Sequence, residues 1–304
     1  MARAEAAVAA HRDLSAPLAA ACAATFFWGL GPIMVAAMSA PSAVIVFWRL
    51  WLAVPIGFAI TAIAGHRVTL AVLRRAAWGG FLFAASLITG WAAIQQTSVA
   101  NATLMGALQP VLVLLVAARL FGEVVTRRDV VLTLAAIAGV AVFVLGADGT
   151  GGASLRGDLW AVANLVIWTV YFLEVKRQRT EGINTLAYLT AVLTMAAVTI
   201  TPYVLVTGGD LRAVGGWEWL GVLFIVMVPG FGGHGLMTWA QGFVDVTVLS
   251  LITLGSPIVS AVLAWWLLDQ PLNGWQLLGG AVVMGAVGTV VWSRRSVPVP
   301  VPVE

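Results

Sequence analysis

Charge is scarce in this sequence. Of its 304 residues only 10% are Asp, Glu, Lys or Arg, whereas 61% are hydrophobic. A soluble domain carries about 25% charged and about 45–50% apolar residues. No water-soluble core of this size hides so much apolar surface. A soluble enzyme, a disordered tail and a nucleic-acid module are thereby excluded. Cysteine is nearly absent: Cys22 stands alone, so there is no intrachain disulfide and no CxxC-type metal site. His11, His66 and His234 are the only histidines, too few for a multi-histidine metal centre. No metal and no cofactor is expected. Polar stretches are short throughout, and none leaves room for a soluble domain.

What the chain does have is long apolar runs. About 20 apolar residues cross the hydrocarbon layer as a helix. Ten such runs are present, at 17–37, 42–64, 76–96, 99–120, 129–147, 157–176, 184–207, 217–242, 246–268 and 274–293. The first is longer than the apolar core of a signal peptide and reads as a retained helix. Trp217, Trp219, Trp275 and Trp292 fall at run ends, where they suit the membrane interface.

The basic residues set the expected orientation. With the N-terminus cytoplasmic, Arg3, Arg12, Arg67, Arg74, Arg75, Arg127, Arg128, Lys176, Arg177, Arg179, Arg294 and Arg295 fall inside. Only Arg156 and Arg212 fall outside. That is a positive-inside distribution, and it places both termini in the cytoplasm. The net charge of +3 follows from topology and calls for no nucleic-acid partner. The tail Val297–Val303 alternates Val and Pro and reads as an extended, disordered end.

The second half of the chain repeats the first. Trp28 in Phe26-Phe27-Trp28-Gly29 pairs with Trp168 in Val166-Ile167-Trp168-Thr169. Gln109-Pro110-Val111 pairs with Ser256-Pro257-Ile258, and the halves then align without gaps. Arg119-Leu120-Phe121-Gly122-Glu123 lies over Trp266-Leu267-Leu268-Asp269-Gln270. Five spans per half is an odd number, so the halves insert in opposite senses. Inverted repeats of this kind mark secondary transporters. The expected fold is an all-α membrane protein of ten transmembrane helices in two inverted five-helix repeats. The expected units are a 1–16 N-terminal segment, repeats at 17–147 and 157–293, and a 294–304 Pro/Val tail.

At these residues the chain resembles the drug/metabolite transporter superfamily, in its ten-span EamA branch. The likeness covers about residues 17–293. It rests on Trp28-Gly29 with Pro32, Phe47-Trp48-Arg49-Leu50, Gln95-Gln96-Thr97-Ser98, Pro110 and Leu120-Phe121-Gly122-Glu123. In the second half it rests on Gly157-Asp158-Leu159, Trp168, Pro257 and Asp269-Gln270-Pro271-Leu272. One departure is Asp269-Gln270, where the family repeats Gly-Glu. The resemblance implies two inverted five-helix bundles around a central cavity. It also implies transport of a small metabolite, commonly export, in a bacterial cytoplasmic membrane.

Ionisable groups inside a membrane are costly, so each needs a reason. Arg49 lies about 12 Å below the outer end of its run at 1.5 Å per residue. It either meets a substrate carboxylate or locks the fold by snorkelling or by binding helix-end carbonyls. No Asp or Glu lies at mid-depth of any run. Pro229-Gly230-Phe231-Gly232-Gly233-His234-Gly235 disfavours a regular helix, and a broken helix is expected there. His234 then binds substrate, carries a coupling proton, or simply bonds a carbonyl. Trp28, Trp91, Trp168, Tyr171 and Trp239 are candidates to stack on a ligand. Gln95, Gln96, Asn101, Gln109, Asn164 and Ser256 are candidates for polar contact, with interhelical bonding as the other reading. Arg119 with Glu123, and Glu174 beside Lys176 and Arg177, are expected to form salt bridges at the cytoplasmic edge, structural or gating.

One Arg, one His and several aromatic and amide groups suit a neutral, zwitterionic or carboxylated solute. Amino acids or related metabolites are therefore favoured, with a multidrug or organic-cation exporter as the alternative. An intramembrane enzyme lacks a nucleophile–base pair and a metal cluster, a sensor lacks an output domain, and a channel lacks a repeated filter. The expected partners are a small-molecule substrate, the lipid bilayer and coupling protons. One chain holds a whole cavity, as monomer or homodimer.

Overall fold

The computed structural model describes residues 11–97, 99–146, 154–207, 209–269 and 272–298. Ten helical segments are long and apolar enough to cross a membrane. They are spans 1 to 10: Ser15–Ala36, Ala43–Ile63, Leu70–Gly90, Ala102–Phe121, Arg127–Leu145, Leu155–Thr180, Thr185–Val206, Glu218–Ala240, Val246–Leu267 and Gly274–Ser293. Backbone N–H and C=O groups have no water to bond in hydrocarbon, and helices satisfy them internally. The fold is all-helical, apart from one short pair of strands. His11–Asp13 pairs antiparallel with Ser296–Pro298, in the register His11 to Pro298. The start of the tail is thus paired rather than free, and its last residues, 299–304, lie outside the described residues. The two ends of the chain meet on one side of the bundle, hereafter the inner side, as an even span count requires.

Helix ends differ from the apolar runs where charge sits inside a helix. The third helix starts at Leu70, not 76, because Thr69 caps it by accepting from the Val72 N–H. Arg74 and Arg75 therefore ride on its first turns. The sixth continues to Thr180, past Lys176, because Arg177 and Arg179 suit the negative end of the helix dipole.

The helix pairs obey the inverted repeat. Span 3 packs on span 6 as span 8 packs on span 1, and span 1 packs on span 9 as span 6 packs on span 4. Spans 2 and 7, and spans 5 and 10, pack as repeat-related pairs. Most helix packing therefore crosses between repeats, and the halves interleave rather than stand as two separate bundles.

Spans 4 and 9 are broken. Val99–Gly106 is followed by Gln109–Phe121, and Val246–Thr253 by Ser256–Leu268. Pro110 and Pro257 stand near the start of each new helix, where a missing N–H costs nothing. Span 8, expected to break, stays continuous. Its segment Val226–His234, with Pro229, Gly230, Gly232 and Gly233, winds as a wider π-helix, and Gly235 begins the α-helical turn after it. The wide turn absorbs the bond that Pro229 cannot donate.

Spans 5 and 10 approach through glycine. A methyl group built on Gly279 would lie 2.5 Å from both the Gly139 carbonyl and the Phe143 nitrogen, which are backbone atoms that cannot rotate away. At Gly288 on the same helix nothing lies within 4 Å. Gly279→Ala should destabilise by about 1–3 kcal/mol despite the better helix propensity of alanine. Gly288→Ala should not. Thermal unfolding of both variants in detergent checks this, and equal melting temperatures would contradict the close contact.

Candidate functional site

Spans 1, 3, 6 and 8 bring their aromatic residues together at mid-length. The repeat-related Trp28 and Trp168 meet edge to face, with ring centroids 6.1 Å apart. The pseudo-two-fold relation between the repeats therefore passes close to this pair. His234 lies 5.0 Å from Trp28, 5.0 Å from Phe83 and 6.2 Å from Trp168. Tyr171 lies 5.2 Å from both Phe83 and Trp168. The five rings form one box, and four of them were legible as candidates. Phe83 was not, since nothing separates it in sequence from the apolar residues around it.

The box has unmet polar capacity. The indole N–H of Trp28 is buried and has no hydrogen-bond partner. His234 is buried, and no hydrogen bond to a described residue holds its ring. The wide π-turn places it there. Gly233 beside it is required by contact: a methyl group would lie 2.7 Å from Trp28 Cδ1 and Nε1.

Arg49 stands on span 2, at mid-length. It is half-buried, and its helix packs on the π-helical stretch Val226–His234. Among the described residues it makes no hydrogen bond and no ion pair. Of the two fold-locking arrangements, snorkelling and binding of helix-end carbonyls, a bond to carbonyls is not present among the described residues.

Other candidates lie elsewhere. Trp239 packs on Phe243, 5.0 Å away. Gln95 is exposed and Gln96 half-buried. Asn164 accepts from the Thr89 hydroxyl at 3.3 Å and packs on Gly90, an interhelical role. Gln109 is buried at the break in span 4, with its amide nitrogen unpaired. Ser256 opens the second part of span 9, where its carbonyl lies against Gly29. The side chains of Trp91 and Asn101 lie outside the described residues.

The inner edge carries the charged contacts, with Glu174 paired as expected and Glu123 held differently. Glu174 pairs with Arg177 at 2.9 Å and accepts from Gln178 at 2.9 Å. Arg75 reaches Glu181 at 2.5 Å and ties span 3 to span 6. Arg119 is exposed and has no ion pair among the described residues. Glu123 does not pair with it. The Glu123 carboxylate instead accepts from the Val246 N–H at 2.5 Å and the Thr247 N–H at 3.1 Å, at the start of span 9. The orphan N–H groups of a helix start are stronger partners than an exposed guanidinium.

A family profile for the EamA-like transporter family matches residues 16–145 and 155–292, which is most of the chain in two repeats. A solved structure titled only as a crystal structure of a protein is similar, with a TM-score of 0.79 at 22% identity. It covers 92% of this chain and 98% of its own. That likeness concerns the fold alone. No curated protein matches the chain.

The contact between Gly233 and Trp28 can be tested with its neighbour as control. A methyl group on Gly235 would make only ordinary contact, 3.6 Å from Leu189. Gly233→Ala should displace the Trp28 ring and cost about 1–3 kcal/mol of stability. Gly235→Ala should behave like the parent protein. Thermal unfolding reads both, and a tolerant Gly233 would contradict the geometry of the box.

Proposed function

The chain belongs to the EamA-like transporter family, a family of small-molecule transporters in membranes, and on that premise we propose that it is a secondary transporter for small carboxylated metabolites, amino acids or related compounds. The observation that carries this reading is Arg49. A guanidinium inside a membrane normally has a partner. Arg49 has none among the described residues, and its helix packs on the π-helical stretch whose His234 joins the ring box, where the Trp28 indole N–H is unpaired and His234 makes no hydrogen bond to a described residue. A solute carboxylate supplies the missing countercharge, in the planar fork geometry that suits guanidinium. The Trp28–Trp168 pair then covers the apolar part of the solute.

Alternating access between repeats 17–147 and 157–293 is the proposed mechanism. The repeat-related Trp pair lies at their interface, where both conformations share contacts. The basic residues favour a cytoplasmic inner side in a bacterial cytoplasmic membrane, and export is the proposed direction. An organic-cation exporter is disfavoured because the acidic residues of the spans lie at their ends. Asp129, Asp158 and Glu218 open their helices, and Glu174 sits on the inner edge, already paired with Arg177.

Counterflow in proteoliposomes tests the reading. Vesicles loaded with unlabelled amino acids should accumulate one labelled group in a protein-dependent way. Arg49→Lys should lower that uptake by about ten- to a hundredfold, the weight of a charge-assisted hydrogen-bond pair. Folded protein that accumulates no carboxylated solute, or an Arg49→Lys variant with parental uptake, would refute it.

A further inference from the structure

The four spans that carry the ring box form two close pairs, each with one helix from either repeat. Span 3 packs on span 6, and span 1 on span 8. Bonds fasten both pairs from within. In the first, Arg75 bonds Gln178 at 2.9 Å and Glu181 at 2.5 Å on the inner side. On the outer side the Thr97 hydroxyl donates to Asp158 at 2.5 Å, and the Ser154 hydroxyl donates to the Gln96 carbonyl. In the second, the Glu218 carboxylate accepts from the Ser39 and Ala40 N–H groups at 2.6 and 3.1 Å, on the outer side.

A second set of bonds, on the inner side, runs from pair to pair. Lys176 on span 6 is buried, and its ammonium donates to the Val244 carbonyl at 2.7 Å, in the loop after span 8. Three residues on, Arg179 Nε donates to the Thr238 carbonyl at 3.1 Å, and a second guanidinium nitrogen reaches the Ile183 carbonyl. Gln241, after the last turn of span 8, donates back to the Phe172 carbonyl at 3.2 Å. The guanidinium lies close against the loop: a methyl group on Gly242 would stand 2.9 Å from its Nη2. The last carbonyls of a helix lack an N–H of the helix to meet, and they form the negative end of its dipole. Backbone N–H groups that follow take the carbonyls of Met237, Trp239 and Ala240, whereas the Thr238 carbonyl receives Arg179.

The inverted repeat supplies no matching cations on the outer side. Counted from Trp28 and Trp168, Lys176 falls on Ala36 and Arg179 on Ser39. Alanine has no side-chain donor, and the Ser39 N–H and hydroxyl serve Glu218, within the pair of spans 1 and 8.

We propose that Lys176 and Arg179 form the clamp that closes the inner side: they hold the end of span 8 and its loop on span 6, and the path from the ring box to the inner side opens only on their release. Exchange between the two repeat conformations then moves spans 3 and 6 against spans 1 and 8. On release each cation trades a carbonyl for water, so the closed state rests on a few charge-assisted bonds rather than on a large buried area. A clamp on one face alone sets the resting state of a symmetric scaffold, with the inner side shut.

The clamp rests on the transporter reading for its purpose but not for its test. Pairs of spin labels in the full chain, in nanodiscs without solute and with Cys22→Ala, read the two faces. Thr180→Cys with Phe243→Cys spans the clamp, and Ala37→Cys with Arg156→Cys spans the outer side; all four positions are exposed. In Lys176→Met combined with Arg179→Met, the inner distance should gain a longer population and the outer distance a shorter one. The ratio of open to closed molecules should rise about tenfold or more, the weight of a lost charge-assisted bond. Arg179→Met alone, which spares the more deeply buried Lys176, should shift both distances the same way to a smaller extent. Arg75→Met cuts a bond within the pair of spans 3 and 6, and should keep the parent distribution. Parental distances in both clamp variants, an inner distance that lengthens while the outer one stays fixed, or the same shift in Arg75→Met would each overturn the clamp. Counterflow by the parent protein can survive any of those results, so failure of the clamp is distinct from failure of the transporter reading.

Discussion

Hydrocarbon offers no partner to a polar group, and this constraint shapes every part of the molecule. It forces ten nearly unbroken helices, since each unsatisfied backbone group costs several kcal/mol, about as much as a whole helix cap or more. It confines the acidic residues to helix ends. It also makes the few exceptions informative. The exceptions are a π-helical stretch in span 8, paired breaks in spans 4 and 9, and the half-buried Arg49, without an ion pair among the described residues. The π-turn shapes the ring box around Trp28 and Trp168, and the helix of Arg49 packs on that turn. The two breaks sit at repeat-related positions in the spans that close the inner side.

Symmetry explains why these features occur together. Two similar halves of opposite sense place Trp28 and Trp168 in mutual contact, and they place Pro110 and Pro257 at equivalent depths. The repeats pack mainly on each other, so a change in one helix pair is felt in its counterpart. Departures from symmetry then locate the parts with a direction. Glu123 opposite Gln270 is one, and another is that, among the described residues, the helices Val246–Thr253 and Gln109–Phe121 of spans 9 and 4 pack closely on the inner side while their repeat counterparts do not. A symmetric scaffold needs such a departure if its two faces are to answer different conditions.

Much of this was readable in the residues, and the misses have physical causes. The ten spans follow from apolar length alone. Their ends do not, because Thr69 caps a helix before its apolar run begins and Arg177 and Arg179 prolong another beyond its own. Proline and glycine in span 8 signalled a departure from α-helix, but a wide turn resolves the conflict more cheaply than a break. Single prolines do not mark breaks either, since Pro32, Pro55 and Pro202 lie inside continuous helices. The mark was a proline recurring at the same place in both repeats. Four rings of the box were visible as candidates, whereas Phe83 and the cap by Glu123 depend on contacts between distant segments. The solitude of Arg49 is likewise a property of the folded chain, because only the folded chain decides what surrounds it.

The central claim is that Arg49 stands ready for an anionic group of the solute. Calorimetric titration in nanodiscs measures it most directly, with a counterflow substrate set against its uncharged carboxamide analogue. The account predicts that the carboxylate binds about ten times more tightly or better, as expected for a charge-assisted pair, and that the preference vanishes in Arg49→Gln. Equal affinity for the two compounds in the parent protein, or a preference that persists in Arg49→Gln, would contradict it.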